Sequence, residues 1–119
     1  MCGFCTVSGN TSSGISIGGN GTFTTLTISN NAGSGLTVGS GTSSFTDITI
    51  TNSTSGTGLY NAGTGELVNV SVSGSSGDGI RSGPSTSLKS CSASSNGGYG
   101  IWVESAGFLT NCSSDGNAK

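Results

Sequence analysis

Hydrophobic positions recur along this chain in one figure: apolar-x-x-apolar-x-apolar, then a polar stretch, then Gly-apolar. The figure starts at Cys2, Phe23, Phe45, Leu67, Leu88 and Leu109, in steps of 21, 22, 22, 21 and 21 residues. Its first column is those six residues. Its fourth is Cys5, Leu26, Ile48, Val70, Cys91 and Cys112, and its sixth is Val7, Ile28, Ile50, Val72 and Ala93, with Ser114 a weaker match. After the polar stretch come Ile15, Leu36, Leu59, Ile80 and Ile101. Alternation with period 2 inside each segment marks strand. Gly and Asn punctuation every few residues leaves no room for a helix of useful length. One such coil cannot bury its apolar face alone, whereas stacked coils make one continuous core. The pattern therefore predicts an all-β parallel solenoid of about five and a half coils, each with three short strands and three turns, rising ~4.8 Å per coil.

The polar positions repeat as well. Asn10, Asn31, Asn96 and Asn117 hold one position of their coils, and Asn52 stands one residue earlier in its own. Asn tolerates the left-handed backbone that a sharp corner requires, so these residues are expected to take that conformation. In register, their side-chain amides can also bond one another. Gly14, Gly35, Gly58, Gly79 and Gly100 mark the next corner.

Composition alone would suggest disorder, because Gly, Ser, Thr and Asn dominate; the fixed apolar period argues against it. With 119 residues the chain is a single domain, 1–119. Its net charge is −2 with 7% charged residues, so there is no basic stripe for nucleic acid. No apolar run approaches the roughly 18 residues of a membrane span.

The coil LKSCSASSNGGYGIWV at Leu88 and its equivalents resemble the parallel β-helix repeats of the pectate-lyase-like right-handed β-helix superfamily, and the likeness covers essentially the whole chain. The resemblance implies the right hand of the coil. It is specific for fold and uninformative about function, since that superfamily holds polysaccharide lyases and hydrolases, phage tailspikes and surface adhesins. The first coil begins almost at the first residue, the last is a half coil, and neither is capped by an amphipathic helix. Solenoids need capped ends, so the expectation is a segment of a longer β-helix, with end-to-end assembly into a fibre as the alternative.

Cys2 and Cys5 form a CxxC, but no helix N-terminus is predicted to activate a thiol there. Nor is there a histidine to help complete a zinc site. The pair reads instead as small apolar residues of inward columns. Cys91 and Cys112 are vertical neighbours with Cβ atoms expected near ~4.8 Å, slightly long for a disulfide, so free thiols are expected. No metal and no cofactor is called for.

Chemistry gathers at one place. The outward column of the Gly-apolar strand runs Ser16, Thr37, Tyr60, Arg81, Trp102. Tyr99 precedes that strand, Asp78 holds the matching position one coil earlier, and Glu104 follows Trp102 by two. Aromatic faces suit the C–H faces of sugar rings, and Arg, Asp and Glu can bond sugar hydroxyls or carboxylates. The bland reading is a cross-strand ladder that stabilises the sheet. Glycosidases need two carboxylates at a set separation. Here Asp47, Glu66, Asp78, Glu104 and Asp115 fall in different columns, and no catalytic motif of the resembled superfamily can be transferred. The functional expectation is an extracellular or cell-surface segment contacting polysaccharide through Tyr60, Arg81, Trp102, Tyr99, Asp78 and Glu104. A ligand-free spacer or fibre and a fragment of a lyase or hydrolase are the alternatives. A lesser alternative comes from the outward hydroxyl columns Thr6, Thr27, Thr49, Ser71, Ser92, Ser113 and Ser8, Ser29, Thr51, Ser73, Ser94, which end in Asp115. They resemble the ice-binding faces of antifreeze solenoids.

Overall fold

The structure, a computed structural model, describes residues 2–104 and 106–119, with side chains from residue 4 onward. Strands β1 (Cys2–Ser8), β2 (Ile15–Ile17), β3 (Gly21–Ser29), β4 (Leu36–Val38), β5 (Thr42–Thr51), β6 (Leu59–Asn61) and β7 (Thr64–Ser73) alternate long and short. They are followed by β8 (Ile80–Ser82), β9 (Thr86–Lys89), β10 (Ser92–Ser94), β11 (Ile101–Val103), β12 (Phe108–Thr110) and β13 (Ser113–Asp115). No helix occurs among the described residues. One sheet runs β1-β3-β5-β7-β10-β13, with β9 and β12 extending it from β7, and the short strands β11-β8-β6-β4-β2 form the other. Every pairing is parallel and joins equivalent residues of successive coils, Phe23 with Phe45 and Ile28 with Ile50 for example. This is the parallel solenoid that the period predicts.

The three-residue gap between the first and second apolar columns has a backbone cause. Phe4, Thr25, Asp47, Asn69, Ser90 and Asn111 all have φ between 51° and 58°. A single left-handed residue inserted in an extended strand turns it through a corner and resets the alternation. Phe23 and Leu26 therefore both face inward, although they are three apart. One of the three predicted turns is thus a one-residue bend within a strand. Asn and Asp accept this conformation readily, whereas Thr25 is β-branched and is strained there. At the bend of two middle coils, Asn69 Nδ2 donates to Asp47 Oδ1 at 2.7 Å.

The expected left-handed asparagines need correction. Gly9, Asn30, Asn52, Gly74, Ser95 and Gly116 have φ between 54° and 70°. Asn10, Asn31, Asn96 and Asn117 follow that position and have ordinary φ; only Asn52 is itself left-handed. The bend turns the following side chain toward the core, where Asn31 and Asn96 are buried. Nδ2 and the backbone N of Asn10 both donate to Asn31 Oδ1, at 2.8 and 3.1 Å. Asn96 donates in the same way to Asn117 Oδ1 at 2.8 and 2.9 Å, and its own Oδ1 accepts from Ser75 N at 2.9 Å. The amide ladder forms, but Ser53 and Ser75 interrupt it, and Asn31 Nδ2 has no bonding partner there. The glycine column is the counterpart of this ladder. A Cβ on Gly79 would lie 2.5 Å from Asn96 Nδ2 and 2.6 Å from the Gly100 carbonyl oxygen.

The core is the set of inward columns. Phe45, Ile48, Ile50, Leu59, Leu67 and Ile80 are fully buried, and Phe23 stacks on Phe45 with ring centroids 5.4 Å apart. The second inward column of the short strands turns polar, with Val38 followed by buried Asn61 and Ser82. Asn61 Oδ1 accepts from Gly63 N at 3.1 Å, closing the turn into β7.

Cys91 is buried and Cys112 half-buried; both are free thiols, as expected. Burial pushes the Cys91 thiol up to about 11. Cys5 packs against the core as its column requires, but it is disulfide-bonded, which the small-apolar reading did not include. The Cys2 side chain lies outside those described.

Asn96→Ala is expected to cost about 1–3 kcal/mol, because it strands the buried Ser75 N–H, and Asn10→Ala, at an exposed position, clearly less; urea melts of the two variants give the comparison. Gly79→Ala is expected to cost a similar ~1–3 kcal/mol through overpacking against Asn96. The Cys91 thiol has a higher pKa folded than unfolded, so the stability it contributes is complete below about 9 and is lost as pH rises toward about 11. Urea midpoints at pH 8 and pH 10 should therefore fall further for the wild type than for Cys91→Ala.

Candidate functional site

The short strands build the candidate site. Their register places Ser16 beside Thr37, Thr37 beside Tyr60, Tyr60 beside Arg81 and Arg81 beside Trp102. Flanking residues of each strand face the core, so the middle residue of each triplet must face out. The Arg81 guanidinium lies between two rings, 5.5 Å from the Tyr60 centroid and 4.6 Å from that of Trp102. Both distances are within cation–π range.

Tyr99 extends the row from the loop before β11. Its ring meets that of Trp102 edge to face, with centroids 5.0 Å apart and planes at 79°. Asp78 holds this loop in place, because its Oδ1 accepts from Tyr99 N at 2.8 Å. Lys119 Nζ lies 5.8 Å from the Tyr99 centroid and adds a second cation to the row. The sequence reading missed Lys119, although it stands 20 residues after Tyr99, close to one coil period. Tyr99 and Trp102 are 44% and 40% exposed, so both rings keep a large face open to solvent. Tyr60, Arg81 and Asp78 are half-buried.

Five of the six expected residues thus come together. Glu104 is the sixth. It lies just past β11 and is exposed, and its N–H donates to the Ser82 carbonyl oxygen at 3.0 Å. Among the described residues, none of the contacts joining the other five involves its carboxylate. Asp78 is engaged with the Tyr99 backbone N–H. The remaining acids are dispersed, with Asp47 bonded to Asn69 and Glu66 paired with Lys89 at 3.5 Å. No three His, Cys, Asp or Glu side chains gather as a metal site among the described residues.

The hydroxyl columns are in register. Thr6, Thr27, Thr49, Ser71, Ser92 and Ser113 follow one another, with Ser8, Ser29, Thr51, Ser73, Ser94 and Asp115 beside them. Ser92 Oγ donates to Ser71 Oγ at 3.4 Å. Of the described residues, no helix is long and apolar enough to cross a membrane.

No curated protein and no solved structure gives a significant match to the chain. A family model described as a right-handed β-helix region matches residues 4–119. That match agrees with the parallel in-register coils and with the resemblance read from the repeats, and it settles the hand: the chain belongs to the right-handed β-helix family.

Proposed function

We propose that this β-helix contacts polysaccharide through the row Tyr60, Arg81, Trp102 and Tyr99, and that it does so outside the cell or at the cell surface. The observation that carries the reading is the preassembled stack. Register and mutual contact hold Tyr60, Arg81 and Trp102 together, the Tyr99 ring packs on Trp102 and Asp78 anchors the Tyr99 backbone, so a ligand meets side chains that have already lost part of their rotamer freedom. The open faces of Trp102 and Tyr99 offer apolar planes to sugar C–H groups. Arg81 and Lys119 supply donors beside them, and Asp78 supplies an acceptor. The disulfide at Cys5 suits an oxidising compartment.

The same contacts favour a second reading, in which the stack only stiffens the short-strand sheet of a spacer. Arg81 lies against both rings within the protein itself. A screen of immobilised polysaccharides with wild type and Trp102→Ala separates the two. Trp102→Ala is expected to keep its β-type circular dichroism and to bind roughly tenfold more weakly or not at all. A folded wild type that binds nothing, paired with a Trp102→Ala variant of lowered melting temperature, would leave the spacer reading standing.

A further inference from the structure

The interior of the solenoid holds a polar column whose bonds the protein closes only in part. Thr54 N bonds to Asn31 O, Ser76 N to Ser53 O and Gly97 N to Ser75 O, which places Asn31, Ser53, Ser75 and Asn96 one above another. Where the next residue of the column is Asn, its Oδ1 accepts the backbone N–H before it. Asn10 donates in this way to Asn31 at 3.1 Å, Ser75 to Asn96 at 2.9 Å and Asn96 to Asn117 at 2.9 Å. Asn31 and Ser53 are followed instead by serines, which bring no carboxamide oxygen to that place. Asn31 Nδ2, Ser53 Oγ and Ser75 Oγ lie there without a partner in the protein, in residues only 1%, 1% and 3% exposed.

We infer that two interior water molecules complete this column, one between Asn31 and Ser53 and one between Ser53 and Ser75. The first takes the place of an Asn Oδ1. It accepts from Asn31 N–H and Nδ2 and donates to Ser53 Oγ. The second accepts from the N–H and the hydroxyl of Ser53 and donates to Ser75 Oγ. Each water then makes about three bonds, the usual number for a buried one. Room exists for them, because serine is smaller than asparagine by about one water's share of volume, roughly 30 Å³. The facing wall does not close in to take up the difference. Gly35 adjoins Ser53 and Ile50 just as Gly14 adjoins Asn31 and Ile28. Water suits these groups and an ion does not. An ion would be buried without a countercharge, whereas serine hydroxyls turn to donate or accept as a water requires. Serine is thus accommodated inside the core because water closes the bonds that asparagine closes elsewhere.

The test is a high-resolution crystal structure of the wild-type chain and of Ser53→Asn. The wild type is expected to show one density peak at each position, the first roughly 2.7–3.2 Å from Asn31 N, Asn31 Nδ2 and Ser53 Oγ. In Ser53→Asn the new Oδ1 is expected to replace the first peak while the second is retained. If that variant does not fold, the wild type decides alone. Absence of either peak in the wild type overturns the inference, as does a peak whose scattering refines as an ion from the crystallisation medium. A first peak that persists in Ser53→Asn also overturns it, because such a peak does not stand in for a carboxamide oxygen.

Discussion

Every part of this molecule depends on one constraint, the residue-for-residue parallel pairing of each coil with the next. Because equivalent positions stack, each column has a single environment along its length. An apolar residue is covered above and below by its own equivalents, which is how three-residue strands such as Leu59–Asn61 become part of a dry core. Polar groups obey the same rule. Asn31 and Asn96 are buried without a helix or a hairpin to satisfy them, and the bonds they do make come from the neighbouring coils.

The corners show how tightly these columns interlock. A left-handed residue sends the next side chain inward, and where that side chain is Asn it fills the space that a Cβ on the facing glycine would need. The glycines stay necessary where Ser53 and Ser75 replace Asn, because a Cβ on Gly35 or Gly58 would still meet Ile50 or Val72 and the carbonyl of the next coil's glycine. The other corner has no such partnership. It accepts Phe, Thr, Asp, Asn and Ser at positive φ, so the pairing on both sides of the bend overrides local preference, at a strain that Asn tolerates better than Thr.

The two surfaces with chemistry differ in kind. On the short-strand face, vertical register stacks a guanidinium between rings, giving a rigid row of apolar planes with cations beside them. On the long-strand face, register aligns hydroxyls with Glu66, and a diagonal contact to Lys89 neutralises that acid. A solenoid can present both, because successive faces of a coil share a core but not a surface.

The sequence by itself determined the coil period, the inward columns and the row Tyr60, Arg81, Trp102, because each rests on alternation along a strand and a constant step between coils. Both survive in one dimension. The structure alone decided which residue of each corner is left-handed, since Asn30 and Asn31 are the same residue type and only the backbone path tells them apart. It also brought Lys119 to Tyr99 and Lys89 to Glu66, contacts whose spacings of 20 and 23 residues fall just off the coil step of 21–22 and so join no single column. The bonded state of Cys5 belongs with these, because it depends on where a side chain ends and not on which face it starts from.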